Sequence, residues 1–111
     1  MKLIIDRKEW YRGEGIEESK LLRTDGRRCC IGILGRAVGI PDHLLLSIGG
    51  VGSTTHHQEA ANKWPAWCQS DGGDIRCAYG LNDRLDLSEK ERERQLTELF
   101  ARNDIEVEFI N

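Results

Sequence analysis

The sequence predicts an α+β fold, and three observations carry that prediction: alternating or apolar runs at both ends of the chain, an apolar stripe of helical period after residue 29, and a capped, charged helix near the end. The predicted arrangement is a small antiparallel sheet, its N- and C-terminal strands paired and residues 19–23 as a candidate third strand. This sheet packs against a central helix at 29–38 and a C-terminal helix at 88–102. All 111 residues suit one domain, large enough for a single core.

Each element has its own signal. Residues 2–6 form a short apolar run that suits a strand, and Ile105, Val107 and Phe109 alternate with acids so that one face is buried. Residues 19–23 end at Thr24-Asp25-Gly26, where glycine accepts the positive φ of a tight reversal. Cys30, Ile33, Leu34, Ala37 and Val38 then recur at the spacing of one helical face. Gly39 and Pro41 end that helix. Gly32 and Gly35 lie inside it, each costing about 1 kcal/mol against alanine, which points to close approach by another backbone.

Residues 41–48 suit a short helix opened by proline. Residues 49–55, rich in glycine and hydroxyls, read as a flexible loop or binding edge; they lack the lysine and spacing of a phosphate loop. Trp64 and Trp67 suit core packing or an interface hot spot, and Gly72-Gly73 marks a reversal. Ser88 and Glu91 fit a capping box. Leu96, Leu99 and Phe100 form the apolar stripe of that helix, Glu98 and Arg102 are spaced to pair, and residues 89–94 are wholly charged, so this half projects into solvent or contacts a partner.

Composition excludes several classes. An apolar fraction of 39% with 32% charged residues is that of a folded chain rather than a disordered one. No run approaches the roughly 18 apolar residues of a membrane span, and Asp6 comes too early for a secretory signal. A cytoplasmic setting is therefore expected, with Cys29, Cys30, Cys68 and Cys77 as thiols and no membrane partner. Net charge is +3 over residues 1–36, -2 over 37–81 and -4 over 82–111. That basic excess is too small to require nucleic acid as a partner.

The chemistry concentrates where Arg27 and Arg28 meet the adjacent Cys29 and Cys30. As a nucleophile, a thiol at a helix N-terminus beside guanidinium groups has its thiolate favoured. His56 or His57 would then be the base and Asn82 or Asp83 its orienting partner, in the chain order of papain-like enzymes. Adjacent helical residues point about 100° apart, so only one thiol can face such a site. A zinc site pairs cysteines about two to four residues apart, whereas Cys29 and Cys30 are adjacent and Cys68 and Cys77 are separated by eight residues; no metal and no cofactor is expected. In the structural reading Cys30 packs within the apolar stripe and Asn82-Asp83 satisfies backbone groups near the central helix.

Taken together, residues 7–10, Leu21-Leu22, Gly26-Arg27-Arg28-Cys29-Cys30-Ile31-Gly32, Leu81-Asn82-Asp83, residues 87–93 and residues 105–109 resemble small phage and prophage proteins of unassigned function. In those the motif reads Cys-Cys-Leu-Gly and is followed, after a variable middle, by Asn-Asp; here Ile31 replaces the leucine. The resemblance spans nearly the whole chain and implies a mobile-element origin and a bacterial cytosolic setting.

With a structural role for the thiols, function lies on the surface as stoichiometric binding to a host or phage protein complex. Inhibition of a bacterial defence system such as a CRISPR effector is the concrete version. Glu89, Glu91, Arg92 and Glu93, with Trp64 and Trp67, are the candidate partner contacts. A cysteine-nucleophile enzyme and a DNA-binding regulator are the alternatives; for the latter, residues 42–48 lack the side chains that read base edges.

Overall fold

A computed structural model describes residues 1–14 and 19–111. Among the described residues the first strand, β1 (Lys2–Asp6), and the last, β2 (Glu106–Ile110), enclose five helices. These are α1 (Cys30–Ala37), α2 (Asp42–Leu45), α3 (Gln58–Lys63), α4 (Asp74–Asp83) and α5 (Glu89–Ala101), with single 3-10 turns at Val51–Ser53 and Ala66–Gln69. The α+β class stands.

The terminal strands do pair, but in parallel, not antiparallel: Lys2 lies opposite Glu106, Leu3 opposite Val107 and Ile5 opposite Phe109. Period-two alternation tells which face is buried and is blind to strand direction. Direction comes from α5, whose last turn reverses at Asp104 (φ 64°) and sends β2 back along the helix. A parallel pair needs a long crossover, and here the helices between the strands supply it. Leu3 and Ile5 are buried on the helical side, while Lys2 and Ile4 face outward.

Residues 19–23 do not add a third strand. Leu22 makes one isolated bridge to Leu46, supported by Leu21 N–H to Ile48 O (2.8 Å) and Ser47 N–H to Leu22 O (2.8 Å). The turn after them forms as its residues dictate, with Gly26 at φ 88° and its N–H on Arg23 O.

The helix expected at 29–38 begins one residue later, and every residue from Cys30 to Gly35 is buried, not one stripe alone. A helix enclosed on all sides sits at the centre of a core. Its glycines explain how neighbours come so close. A Cβ at Gly32 would stand 1.8 Å from the Leu21 carbonyl oxygen, and one at Gly35 would stand 2.6 Å from the Trp64 ring. Gly32 thus meets a backbone, as its position in the helix predicts, whereas Gly35 meets an indole.

Residues 49–55 are more tied down than a glycine-rich loop suggests. Val51 and Thr54 are buried, Val51 N–H donates to Tyr79 Oη (2.9 Å), and Trp64 Nε1 donates to Thr54 Oγ1 (2.8 Å). Within α5, Leu96, Leu99 and Phe100 face the core as predicted. Two predicted pairings differ: the Glu91 carboxylate turns to Arg94 and Gln95 instead of back to Ser88. Likewise Arg102 bonds Asp74, leaving Glu98 to Arg94.

Candidate functional site

The start of α1 is held from three sides. Cys29 is the N-cap residue, and its Sγ accepts the N–H of Gly32 at 3.4 Å. Its own N–H donates to Lys20 O (3.0 Å). The next orphan donor of the helix, Cys30 N–H, donates to Oδ1 of Asn82 at 3.0 Å. Two of the free donors that any helix presents at its N-terminus are thereby satisfied by motif side chains.

Asn82, wholly buried on the last turn of α4, does more than cap. The same Oδ1 accepts Trp10 Nε1–H at 2.7 Å. Its Nδ2 faces Tyr11 O (3.0 Å), Ser19 Oγ (3.1 Å) and Asp83 Oδ1 (3.0 Å). Both functional ends of one amide are therefore engaged, and the segment after β1, the start of α1 and the end of α4 meet on a single side chain. Asp83 is exposed and also takes a hydrogen bond from the Ser19 hydroxyl.

The thiols are closed to solvent: Cys29 is 2% exposed and Cys30 is fully buried. Burial pushes the Cys29 thiol up to about 11 and the Cys30 thiol well above its ordinary value. A nucleophilic cysteine needs the opposite shift and access. The Cys30 Sγ faces the Ala78 carbonyl at 3.9 Å. His56 and His57 are exposed with their rings 4.2 Å apart, and the hydrogen-bond partners of both thiols are backbone groups. The Cys, His and Asn side chains proposed for an enzyme are thus brought together only in part: Asn82 reaches the cysteine backbone, and the histidines stay outside.

The guanidinium groups expected to favour a thiolate are occupied elsewhere. Arg27 pairs with Glu14 at 2.7 Å and lies 4.9 Å from the Tyr11 ring centre. Arg28 is buried. Its Nη2 meets Asp42 at 2.8 Å, while Nε and Nη1 are enclosed without hydrogen-bond partners among the described residues.

The residues proposed as partner contacts divide. Arg92 is 2% exposed, so its expected place on the surface is corrected: its guanidinium donates to the carbonyls of Leu81, Asn82 (3.2 Å) and Arg84 (2.6 Å) at the end of α4. A cation there complements the negative end of the helix dipole. Glu89 is exposed but bonds Arg12, and half-buried Glu93 bonds Arg7 at 2.7 Å. The Glu91 carboxyl is held down at about 2 by the hydrogen bond from Arg94 and a second from Gln95. Trp64 is core, and half-buried Trp67 packs edge-on against Phe100 at 5.8 Å.

Sequence reasoning missed Arg92 as an interior residue because it stands in a run of charges. The available signal was its period, since Arg92, Leu96 and Leu99 share the i, i+4, i+7 stripe. It also missed two surface recesses among the described residues. One, of about 360 Å³, lies between α4 and α5 beside Cys77, Leu81 and Leu99; the other, of about 530 Å³, opens where Thr97 and Ala101 meet the starts of both strands. Among the described residues no three His, Cys, Asp or Glu side chains group to hold a metal, and no helix is long and apolar enough to cross a membrane.

Compared with protein-family models, with curated proteins and with solved structures, the chain matches none.

Proposed function

We propose that this chain is a small phage or prophage accessory protein that acts by stoichiometric binding to a host or phage protein complex. A bacterial defence assembly such as a CRISPR effector is the concrete target, encountered in the bacterial cytoplasm. The observation that carries the reading is the use to which the motif is put. Cys29 caps α1, Cys30 packs against α4 and Asn82 spends both ends of its amide on internal groups, so the most distinctive residues build the fold. Burial also keeps both thiols protonated at neutral pH, which favours binding over the cysteine-enzyme alternative.

What remains for function is exposed surface. Exposed Glu89, Lys90 and Arg94, with half-buried Glu91, offer a mixed-charge patch on the first half of α5, suited to setting register and rate of association more than raw affinity. Capture of one defined complex from bacterial lysate by the tagged full chain, at fixed stoichiometry, is the expected result. Loss of the biological effect on Cys29→Ser or Cys30→Ser with melting unchanged would instead restore the enzyme reading.

A further inference from the structure

We infer that the outer edge of β2 is a docking site for an extended segment of a protein partner in which basic and apolar residues alternate. The backbone sets up the site. Glu106 N–H donates to Met1 O and Arg7 N–H to Ile110 O, so Glu106, Glu108 and Ile110 direct their backbone groups toward β1. In a parallel ladder the alternate residues point the other way. The N–H and C=O of Val107 and Phe109 therefore face outward, and no described residue pairs with them, because the sheet ends at β2. Such a row is a template for a further strand. A recess of about 530 Å³, lined in part by Thr97, Ala101 and Val107, opens beside it.

Charge chooses the occupant. The open face of β2 carries Glu106 and Glu108, answered by Lys2, which bonds Glu108 at 3.0 Å. Glu106 has no ion pair among the described residues. The Met1 ammonium is occupied with Asp104 O (3.1 Å). A second copy of this chain is a poor fit: antiparallel pairing centred on Val107 sets Glu106 against Glu108, and centring on Glu108 sets that carboxylate against its own copy. Like charges directly opposite repel, while lysine or arginine opposite these acids attracts. Apolar residues between the cations would continue the inward row of Val107 and Phe109, both half-buried. The opposite edge of the sheet is less available, since the turn after β1 folds Glu9 N–H onto Asp6 O.

This docking site rests on the partner-binding reading, and the test separates the two. The full chain is titrated with a capped hexapeptide alternating lysine and valine, and with its glutamate–valine counterpart, while amide hydrogen exchange is followed residue by residue. The basic peptide is expected to slow exchange at Val107 and Phe109, and the acidic one is not. The double change Glu106→Lys and Glu108→Lys should weaken the basic peptide by roughly tenfold, as loss of cross-strand charge pairs predicts. Val107→Pro, which removes an outward N–H and leaves the ladder to β1 in place, should abolish protection at Phe109. Circular dichroism confirms that each variant is folded.

Equal protection by both peptides, protection elsewhere only, or concentration-dependent protection of these amides without peptide, which would make a second copy the occupant, overturns the proposal. Lysate capture unaffected by the charge reversal overturns the edge and leaves partner binding standing. Peptide protection without any captured complex supports the edge and removes that reading.

Discussion

The backbone N–H of Cys30 donates to Oδ1 of Asn82 across 3.0 Å, joining the first turn of α1 to the last turn of α4. Because the same oxygen holds Trp10 and the same amide nitrogen faces Tyr11 O, truncation strands several enclosed groups at once. Asn82→Ala is expected to cost about 3 kcal/mol, the sum of a few unsatisfied buried groups. Asn82→Asp keeps the acceptor and loses the donated bonds, and sets a second carboxylate beside Asp83, so it should be no milder. Urea unfolding of both variants checks this; a loss below about 1 kcal/mol would remove Asn82 as the joint.

Gly32 makes a sharper case. With a Cβ 1.8 Å from the Leu21 oxygen, α1 and residues 19–23 must move apart to admit alanine. Gly32→Ala should cost about 3 kcal/mol or more, at the upper end of overpacking. Gly35→Ala, which meets the Trp64 ring at 2.6 Å, should cost less, since an indole can shift where a backbone cannot. Gly26→Ala serves as the contrast. Nothing lies within 4 Å of its Cβ, so the penalty is that of φ 88° alone, about 1 kcal/mol. Thermal melting should rank the three in that order.

What could be read from the sequence was local. The strand face of Ile105, Val107 and Phe109, the turn at Gly26, the cap at Ser88 and the glycine notch of α1 follow from period or from one residue's geometry. The supporting role of Asn82 near α1 was also expected, but the contact spans 52 residues, so no local rule of cap or turn supplies it. Strand direction was not legible, because alternation is the same for either sense. Nor was the burial of Arg28, and that of Arg92 showed only in its period with Leu96 and Leu99; both depend on carbonyls and acids brought from other elements, Asp42 from α2 for one and the end of α4 for the other. A charged residue is enclosed only when partners arrive through tertiary structure, and composition carries no record of them.

Arg92 is therefore expected to behave as a core residue. Arg92→Ala leaves the Leu81, Asn82 and Arg84 carbonyls without their common donor and should destabilise by about 3 kcal/mol. Arg92→Lys keeps the charge but lacks the fork that reaches several carbonyls, so it should recover only part of the loss. Lys90→Ala, on the exposed face of the same helix, should change stability by less than about 0.5 kcal/mol. If Arg92→Ala melted with the wild type, its contacts would be incidental.

The four cysteines should separate by reactivity and by pH. Exposed Cys77 should react with a disulfide reagent at once in native protein, while Cys29, Cys30 and Cys68 should react only after denaturation. Burial raises Cys29 from 9.0 to about 11 and Cys68 to about 12. In the unfolded chain a thiol deprotonates at its ordinary value; in the folded chain it keeps its proton until higher pH. Stability supplied by the protonated thiols is thus complete below about pH 9 and declines as pH rises toward 11 and beyond, because the folded state then binds more protons than the unfolded one. For Cys29 the loss approaches about 3 kcal/mol. Cys29→Ser retains a capping atom at the start of α1 and removes the titration, so its unfolding free energy should fall less steeply between pH 9 and 11 than that of the wild type. Parallel slopes for the two proteins would show that Cys29 is accessible in the folded state, and rapid native labelling at the same residue would agree.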